Sequence, residues 1–290
     1  MWSGSVAGKI VGHVFKCGDR AFKLGERTYI MGILNVTPDS FSDGGKFLDP
    51  QAAIDHAKLM VEQGADIIDV GGESSRPGSD PVSVEEEKRR VLPVIRRLVK
   101  ELDVPVSIDT YKSEVAREAL KAGACLVNDI SGLRFSPDMA KIVAQEKASV
   151  VVMHIKGTPK TMQKDPRYKD VVKEVRDQLK AQTDLARKAG VPKEKILVDP
   201  GIGFGKTVEH NCKLIAEVGQ LRKLGYPILI GTSRKTFIGK VLGTEVDDRL
   251  EGTIATNVVA VLGGADFVRV HDVKEIKRAL TMTDRLSRGK

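Results

Sequence analysis

From residue 29 onward the chain alternates between short β-branched apolar runs and longer stretches whose apolar side chains recur every three or four positions. The runs fall at residues 29–34, 66–71, 104–109, 125–130, 149–154, 196–199, 227–231 and 266–271. Such short apolar blocks predict buried strands. Between them Ala57, Met60 and Val61 share one face, as do Val91, Leu92, Ile95, Leu98 and Val99, and Val115, Ala116, Ala119 and Leu120. Leu214, Ile215, Val218 and Leu221 repeat the spacing, and so do Ile254, Val258, Val259 and Leu262. That period predicts amphipathic helices. Ser83 stands three residues before Glu86, a capping-box spacing that starts one of them.

The helix ends repeat as well. Gly64-Ala65-Asp66, Gly123-Ala124-Cys125 and Gly264-Ala265-Asp266 each set a glycine between a helical pattern and the next strand. Glycine there supplies the left-handed turn that closes a helix. Three copies of one stop signal predict a repeated βα unit. Eight units in about 260 residues predict an α/β fold, a (β/α)8 TIM barrel, whose usual length is about 250 residues. An open doubly wound sheet is the alternative, but no Gly-rich dinucleotide fingerprint follows the first strand. Residues 1–28 are weakly patterned, with alternating stretches at 11–15 and 21–24. They predict a short N-terminal β-hairpin extension over one end of the barrel domain, residues 29–290.

Composition narrows the partners. Charged residues make up 30% of the 290 and hydrophobic ones 41%, a balance typical of folded soluble proteins. No apolar run approaches the roughly 20 residues that span a bilayer, so no membrane partner is expected. Residues 1–10 lack the apolar stretch of a secretory signal, and a cytoplasmic location is expected. Without such a signal the acceptor triplet Asn35-Val36-Thr37 is a chance match. Cys17, Cys125 and Cys212 lie far apart in sequence, with neither zinc spacing nor a disulfide framework, and reduced thiols are expected. The net charge of +8 favours anionic partners. The basic residues are scattered and one Trp and four Tyr offer little for base stacking, so a small anion fits better than nucleic acid.

Candidate chemistry gathers at the strand ends, where such barrels carry their active sites. The first strand stops at Asn35, and Thr37, Pro38, Asp39, Ser40, Ser42, Asp43, Gly44 and Gly45 follow with Phe41 among them. Ordinary strand-to-helix loops run roughly 2–6 residues, so this one reads as functional. The second strand holds Asp69 and leads into Glu73, Ser74, Ser75 and Arg76. Asp109, Asn128 with Asp129, His154 and Asp199 end the next four, and Thr232, Ser233, Arg234 and Lys235 follow the seventh.

Arg269 and His271 are two apart on the eighth strand, so both side chains point to one side. With Asn35 from the first strand they form an expected anion pocket, the guanidinium forking onto phosphate oxygens. The Asn35 amide oxygen could also hold Mg²⁺, an ion that takes few protein oxygens beside substrate phosphates. Asp199, Asn128 and Lys235 suit the donor and acceptor edge of a flat heterocycle. Lys235 and Thr236 open a helix, whose N-terminus attracts a carboxylate or phosphate.

Two features are set aside. Residues 201–207 imitate a nucleotide phosphate loop, but Pro200 occupies the required first glycine position, and a close-packed loop of small residues is expected instead. His13, His56 and His210 are expected on the surface.

The motifs GILNVTPDSFSDGG (32–45), DIIDVGGESSRPG (66–78), SIDTYK (107–112), VNDISG (127–132), MHIKGTPKTMQ (153–163), DPGIGFGKT (199–207), GTSRKTFIG (231–239) and RVHD (269–272) occur in this order. In them the chain resembles the dihydropteroate synthase family, enzymes that join a pterin to para-aminobenzoate. The resemblance covers residues 32–272. It implies that Asp109, Asn128, Asp199 and Lys235 hold the pterin ring, with Met153 against it and Asp69 at the floor. It also implies that Asn35, Arg269 and His271 bind pyrophosphate, with Mg²⁺ bridging Asn35 and the leaving group. Phe41, Ser75, Arg76, Pro77 and Thr236 would then surround the aminobenzoate. Ser75 stands where Thr is usual and Thr236 where Ser is usual; both keep a hydroxyl.

The implied reaction displaces pyrophosphate from the pterin methylene by the arylamine, with Asp109, Lys235, Arg269 and His271 as catalytic residues. Ordering of the 35–45 and 72–79 loops would exclude water. A homodimer is implied too, and an apolar stripe of Val258, Leu262, Ile276 and Leu280 suits either a dimer face or packing on the barrel. Two rival readings stand beside it. One is a pterin-binding methyltransferase of related barrel type, which moves a methyl group from a folate to a corrinoid protein and needs no pyrophosphate site. The other is an inactive pterin-binding scaffold.

Overall fold

Strands buried on both faces need cover on both sides, and closure into a ring wrapped by helices supplies it. The computed structural model describes residues 13–37, 50–76 and 78–288. A hairpin of β1 (Val14–Cys17) and β2 (Arg20–Lys23) comes first, paired antiparallel. Eight strands follow: β3 (Tyr29–Asn35), β4 (Ile67–Gly71), β5 (Val106–Asp109), β6 (Leu126–Asp129), β7 (Ser149–Met153), β8 (Ile196–Asp199), β9 (Leu229–Ile230) and β10 (Phe267–Val270). They run parallel in the order β8-β7-β6-β5-β4-β3-β10-β9. A parallel bridge from Val198 to Ile228, with the Val198 N–H donating to the Pro227 carbonyl at 3.0 Å, joins the two ends. The barrel is closed, as the strand count predicts, and the hairpin extension is present.

The helices outside the ring are α1 (Pro50–Glu62), α2 (Val84–Glu101), α3 (Ser113–Lys121), α4 (Met139–Gln145), α5 (Val171–Lys188), α6 (Val208–Ala216), α7 (Thr236–Leu242), α8 (Leu250–Leu262) and α9 (Val273–Arg288). Ser83 caps α2, its hydroxyl accepting the Glu86 N–H at 3.1 Å. The three glycine stops share one geometry. Gly64, Gly123 and Gly264 have φ of +105°, +107° and +112°, and the next residue's N–H returns to Met60, Ala119 and Ala260 respectively. These are Schellman closures. The same bond ends α4 through Ala148, after Lys147 at φ +52°. No glycine marks that turn, so the sequence pattern does not show it.

Two expected elements differ in extent. The strand at 227–231 shrinks to Leu229–Ile230, because Pro227 has no N–H to give a ladder and the turn closed by the Lys235 N–H on the Thr232 carbonyl follows at once. The continuous helix expected through Leu221 breaks after Ala216, and a 3₁₀ segment, Val218–Leu224, carries on to Gly225. Gly219, a weak helix former, falls just beyond the break. In the apolar stripe, Ile276 and Leu280 are buried in the main core and Val258 packs against it. Of the exposed apolar side chains, Val241, Leu242, Val246 and Val259 lie on and around α7 and α8, and the others, among them Leu59, Leu185 and Leu286, lie elsewhere.

The main core fills the layer between strands and helices. A second cluster lies at the N-terminal end of the barrel, where Met31, Ile67, Leu126, Val151, Leu197 and Leu229 are covered by the hairpin. Phe15 and Phe22 of the hairpin meet Tyr29 and Phe267, with ring centroids 5.0 to 6.0 Å apart. The hairpin is an aromatic plug. It also brings Cys17 to 3.2 Å from Cys125, so two thiols widely spaced in sequence are in contact. Phe15 is fully buried. Truncating a buried Phe costs about 3–5 kcal/mol, so Phe15→Ala should lower the urea midpoint by that much stability. An unchanged midpoint would show that the plug adds nothing.

Candidate active site

The closed ring sets the polar strand ends around one mouth. Asn35, Asp109, Met153 and Asp199 are the last residues of β3, β5, β7 and β8. Asp69 and Asn128 lie within β4 and β6, and Arg269 within β10. Asp69 has no exposed surface; its Oδ2 accepts from Asn128 Nδ2 at 2.8 Å and from Arg269 Nε at 2.6 Å. Arg269 Nη2 donates to Asp109 Oδ2 at 2.7 Å. One guanidinium thus ties three strands together. Asp69 Oδ1 remains buried with no hydrogen-bond partner among the described residues. Burial pushes the Asp109 carboxyl up to about 7, against the pull of Arg269.

The opposite wall is the 201–207 loop. Asp199 accepts the Gly201 N–H at 2.6 Å, and burial raises its carboxyl. Gly201 has φ +66°, and a Cβ there would sit 1.9 Å from the His154 carbonyl oxygen, so only glycine fits. The small-residue reading of this stretch holds in its geometry. Lys235 donates to the Ile202 carbonyl and lies 4.5 Å over the Phe204 ring. Burial brings its amine down to about 8 although Asp199 favours the ammonium. Phe204 also joins Met153, Ile130, Ile155 and Met162 in a separate apolar cluster, with Tyr111 and Phe135 packed against it. The mouth therefore has a charged floor and an apolar wall.

His154, expected as a strand-end site residue, is buried and serves the loop instead. Its Nδ1 meets Lys206 Nζ at 3.0 Å, and Lys206 also donates to the carbonyls of Gly201 and Phe204. Burial holds the imidazole neutral, its pKa down to about 2. Asp129 is likewise a loop holder, accepting the Ser131 and Leu133 N–H groups at 2.8 Å each. His210 is part of the cap of α6, its Nδ1 accepting the Thr207 N–H at 3.2 Å; the expected surface histidine is a helix cap. His56 is half-buried and His13 exposed.

His271 follows β10, and its Nδ1 lies 3.0 Å from Ser233 Oγ. Burial, Arg269, Arg234 and Arg76 lower its pKa to about 3. It is a neutral donor among guanidinium groups. Arg234 stands at φ +55°, held by a two-point pair with Asp272 at 2.5 and 3.0 Å. Arg269 reaches the mouth already held by two carboxylates through Nε and Nη2, a pairing that its spacing does not show.

Ser75 and Arg76 lie on the loop after β4. Glu73 anchors that loop, accepting from Tyr111 Oη at 2.6 Å and Lys112 Nζ at 2.5 Å, while Lys112 also reaches Glu87 at 2.6 Å. Ser75, Asp109, Tyr111 and Ile130 line a small cleft there. Thr236 is exposed at the start of α7, which spans only seven residues. Phe41 and Pro77 lie outside the described residues, as does the loop at 38–49. Sequence reasoning missed Phe204 and Tyr111. An aromatic beside Gly203 and Gly205, and one directly after the Asp109-Thr110 strand end, are the signals available for them.

Known proteins share this arrangement. Residues 31–271 match the family of pterin binding enzymes. A dihydropteroate synthase of Synechocystis sp. is 52% identical over 93% of this chain and 94% of its own, and that of Clostridium beijerinckii 51% identical over 93% and 98%. The crystal structure of a Clostridium difficile dihydropteroate synthase, in the presence of pteroic acid, is 54% identical with a TM-score of 0.86, over 91% of this chain and 98% of that one. A Xanthomonas albilineans dihydropteroate synthase in complex with 7,8-dihydropteroate is 41% identical with a TM-score of 0.84, over 94% and 98%. With its closed barrel and its acidic, arginine-bridged mouth, the chain belongs to the dihydropteroate synthase family of pterin-binding enzymes.

Proposed function

We propose that the chain condenses 6-hydroxymethyl-7,8-dihydropterin pyrophosphate with para-aminobenzoate, giving 7,8-dihydropteroate and pyrophosphate in folate biosynthesis. The observation that carries the reading is the juxtaposition of Asp69, Asp109, Asn128, Asp199 and Lys235 around one mouth with guanidinium groups at its rim. A pterin presents an amine and ring N–H donors on one edge and a carbonyl and ring nitrogens as acceptors. Asp199 and the unpartnered Asp69 Oδ1 accept from such an edge, and Asn128 and Lys235 donate to it. Met153 and Phe204 offer the flat apolar contact.

The arylamine lone pair attacks the pterin methylene carbon while the carbon–oxygen pair departs with pyrophosphate, and the resulting ammonium then loses a proton to solvent. An aniline nitrogen needs no strong base, which agrees with neutral His154 and His271. The His271 ring and the guanidinium groups of Arg76, Arg234 and Arg269 supply donors and positive potential where leaving-group charge develops. Asp109 stabilises positive charge on the pterin methylene. Ser75, Arg76 and Thr236 are placed to receive the aminobenzoate, its carboxylate meeting the Thr236 hydroxyl.

The residues fit Mg²⁺. The Asn35 side chain makes no hydrogen bond among the described residues, and its Oδ1 would lie 3.8 Å from a Cβ placed on Gly71. No group of three or more His, Cys, Asp or Glu side chains among the described residues could hold a metal alone. Asn35 would therefore hold an ion that arrives largely coordinated by pyrophosphate. When bound, Mg²⁺ neutralises charge on the departing oxygens. Homodimeric assembly belongs to the same proposal, supported by exposed Val241, Leu242 and Val259 on α7 and α8. So does a cytoplasmic setting, which suits three free cysteines. The rival methyltransferase needs no pyrophosphate site, and the arginines around His271 favour the synthase.

Purified protein given Mg²⁺ and both substrates should release dihydropteroate and pyrophosphate in equal amounts; folded protein that releases neither would refute the reading. Asp199→Ala should weaken pterin binding by about 100-fold in calorimetry, the loss expected when a charged acceptor is removed. Unchanged affinity would remove Asp199 from the pocket.

The pH profile offers a third test. With Asp109 working as carboxylate and Lys235 as ammonium, kcat/KM for the pterin should rise through about 7 and fall above about 8. Asp109→Asn should flatten the acid limb. Stability moves the other way. Between 3.8 and about 7 the folded state binds the extra Asp109 proton, so that contribution is lost as pH rises; from about 8 to 10.5 the unfolded state binds the extra Lys235 proton, and stability rises.

A further inference from the structure

Away from the mouth, at the N-terminal end of the barrel, Cys17 closes β1 and Cys125 stands immediately before β6. Their sulfurs are 3.2 Å apart, nearer than two sulfurs in van der Waals contact, across 108 positions of chain. Neither thiol enters the chemistry proposed above. The surrounding contacts hold the pair in register. Ser149 Oγ donates to the Lys16 carbonyl at 2.6 Å, and a Cβ on Gly18 would lie 3.3 Å from Cys125 Sγ. Gly18 thus leaves room for the Cys125 side chain, and its φ of +56° turns the hairpin. Cys17 has no exposed surface, whereas Cys125 is partly exposed.

We infer that Cys17 and Cys125 form a redox-active dithiol, which a small-molecule disulfide or peroxide closes into a disulfide that staples the N-terminal hairpin to the barrel. The sulfurs must approach by roughly 1.2 Å to reach bonding distance, a movement that side-chain rotation supplies. The two thiols have unequal roles. Cys125 is the partly exposed member; the contact with Cys17, together with Lys195, lowers its pKa against its burial, while the same contact and burial raise that of Cys17. Asp19 opposes the effect at Cys125. Cys125 is therefore the attacking sulfur.

With a small disulfide, the Cys125 thiolate attacks one sulfur, forms a mixed disulfide and expels one small thiolate. Cys17 then loses its proton, attacks Cys125 Sγ and expels the second. Two protein thiols are oxidised by two electrons, one small disulfide becomes two thiols, and the two protein protons end on them. Cys212, exposed on α6, has no thiol partner among the described residues and serves as an internal control.

The test uses the full chain, reduced, freed of reductant, and then exposed to oxidised glutathione or to hydrogen peroxide. Intact mass after alkylation in denaturant should show two of the three thiols protected, and digestion should yield a peptide pair joined through Cys17 and Cys125. Dithiothreitol should restore all three. The oxidised chain should also unfold at a temperature higher by about 5 °C, because the crosslink closes a long loop. A Cys212→Ser chain should behave identically. Glutathione or oxygen adducts on separate cysteines, crosslinks made only through Cys212, or an oxidised chain that melts no higher than the reduced one would each overturn the inference.

Discussion

A carboxylate with no surface of its own has to be held by donors that are themselves fixed, and Asp69 imposes that condition on the whole mouth of the barrel. Asn128 and Arg269 meet it, and Arg269 can do so only because Asp109 takes its other side. Four strands are locked in relative position by these bonds, at the ends where the sheet ladder itself is running out. Removing one partner would leave a charge in a place that water does not reach. The groups proposed for recognition are therefore also part of what sets the shape of the mouth.

The two ends of the barrel answer different problems. At the N-terminal end the inward strand residues are apolar and the hairpin covers them with Phe15 and Phe22, so closure there is a matter of area and aromatic packing. At the C-terminal end the loops share the apolar cluster around Phe204 and Met153, but polar anchors fix them as well. Lys206 gathers two carbonyls and the His154 ring beneath the 201–207 loop, and Glu73 gathers Tyr111, Lys112 and the Val82 N–H beneath the loop after β4. Such anchors specify direction as well as position, which an apolar plug cannot do. Binding loops need that directionality.

The periodicity exposed the eight-unit barrel because each strand is short and apolar, and one glycine stop recurs at three of the helix-to-strand junctions. It erred where the local signal was mixed, at Pro227 beside a strand and at Gly219 beside a helix. The strand-end residues were legible for a topological reason, since a parallel barrel must bring those ends together. Their pairings were not. Nothing within one strand says that Arg269 closes on Asp69, 200 positions away, or that Cys17 meets Cys125. His154 and His210 looked like a site residue and a surface residue. Only their three-dimensional neighbours, Lys206 and the Thr207 N–H, show a loop anchor and a helix cap.

The grip of Arg269 on Asp69 and Asp109 has a bearing on the cost of recognition. A guanidinium and the amino-pyrimidinone edge of a pterin both present N–H donors around a single carbon. Before any substrate arrives, these carboxylates already face a planar nitrogen group in place of bulk water. For Asp69 the dehydration is complete once the chain folds and need not be repeated at each encounter with ligand, whereas Asp109 keeps a little exposed surface. Under the proposed function, an incoming heterocycle need supply at this floor only donors complementary to Asp69 Oδ1, and a molecule that lacks them gains nothing from a carboxylate already stripped of solvent.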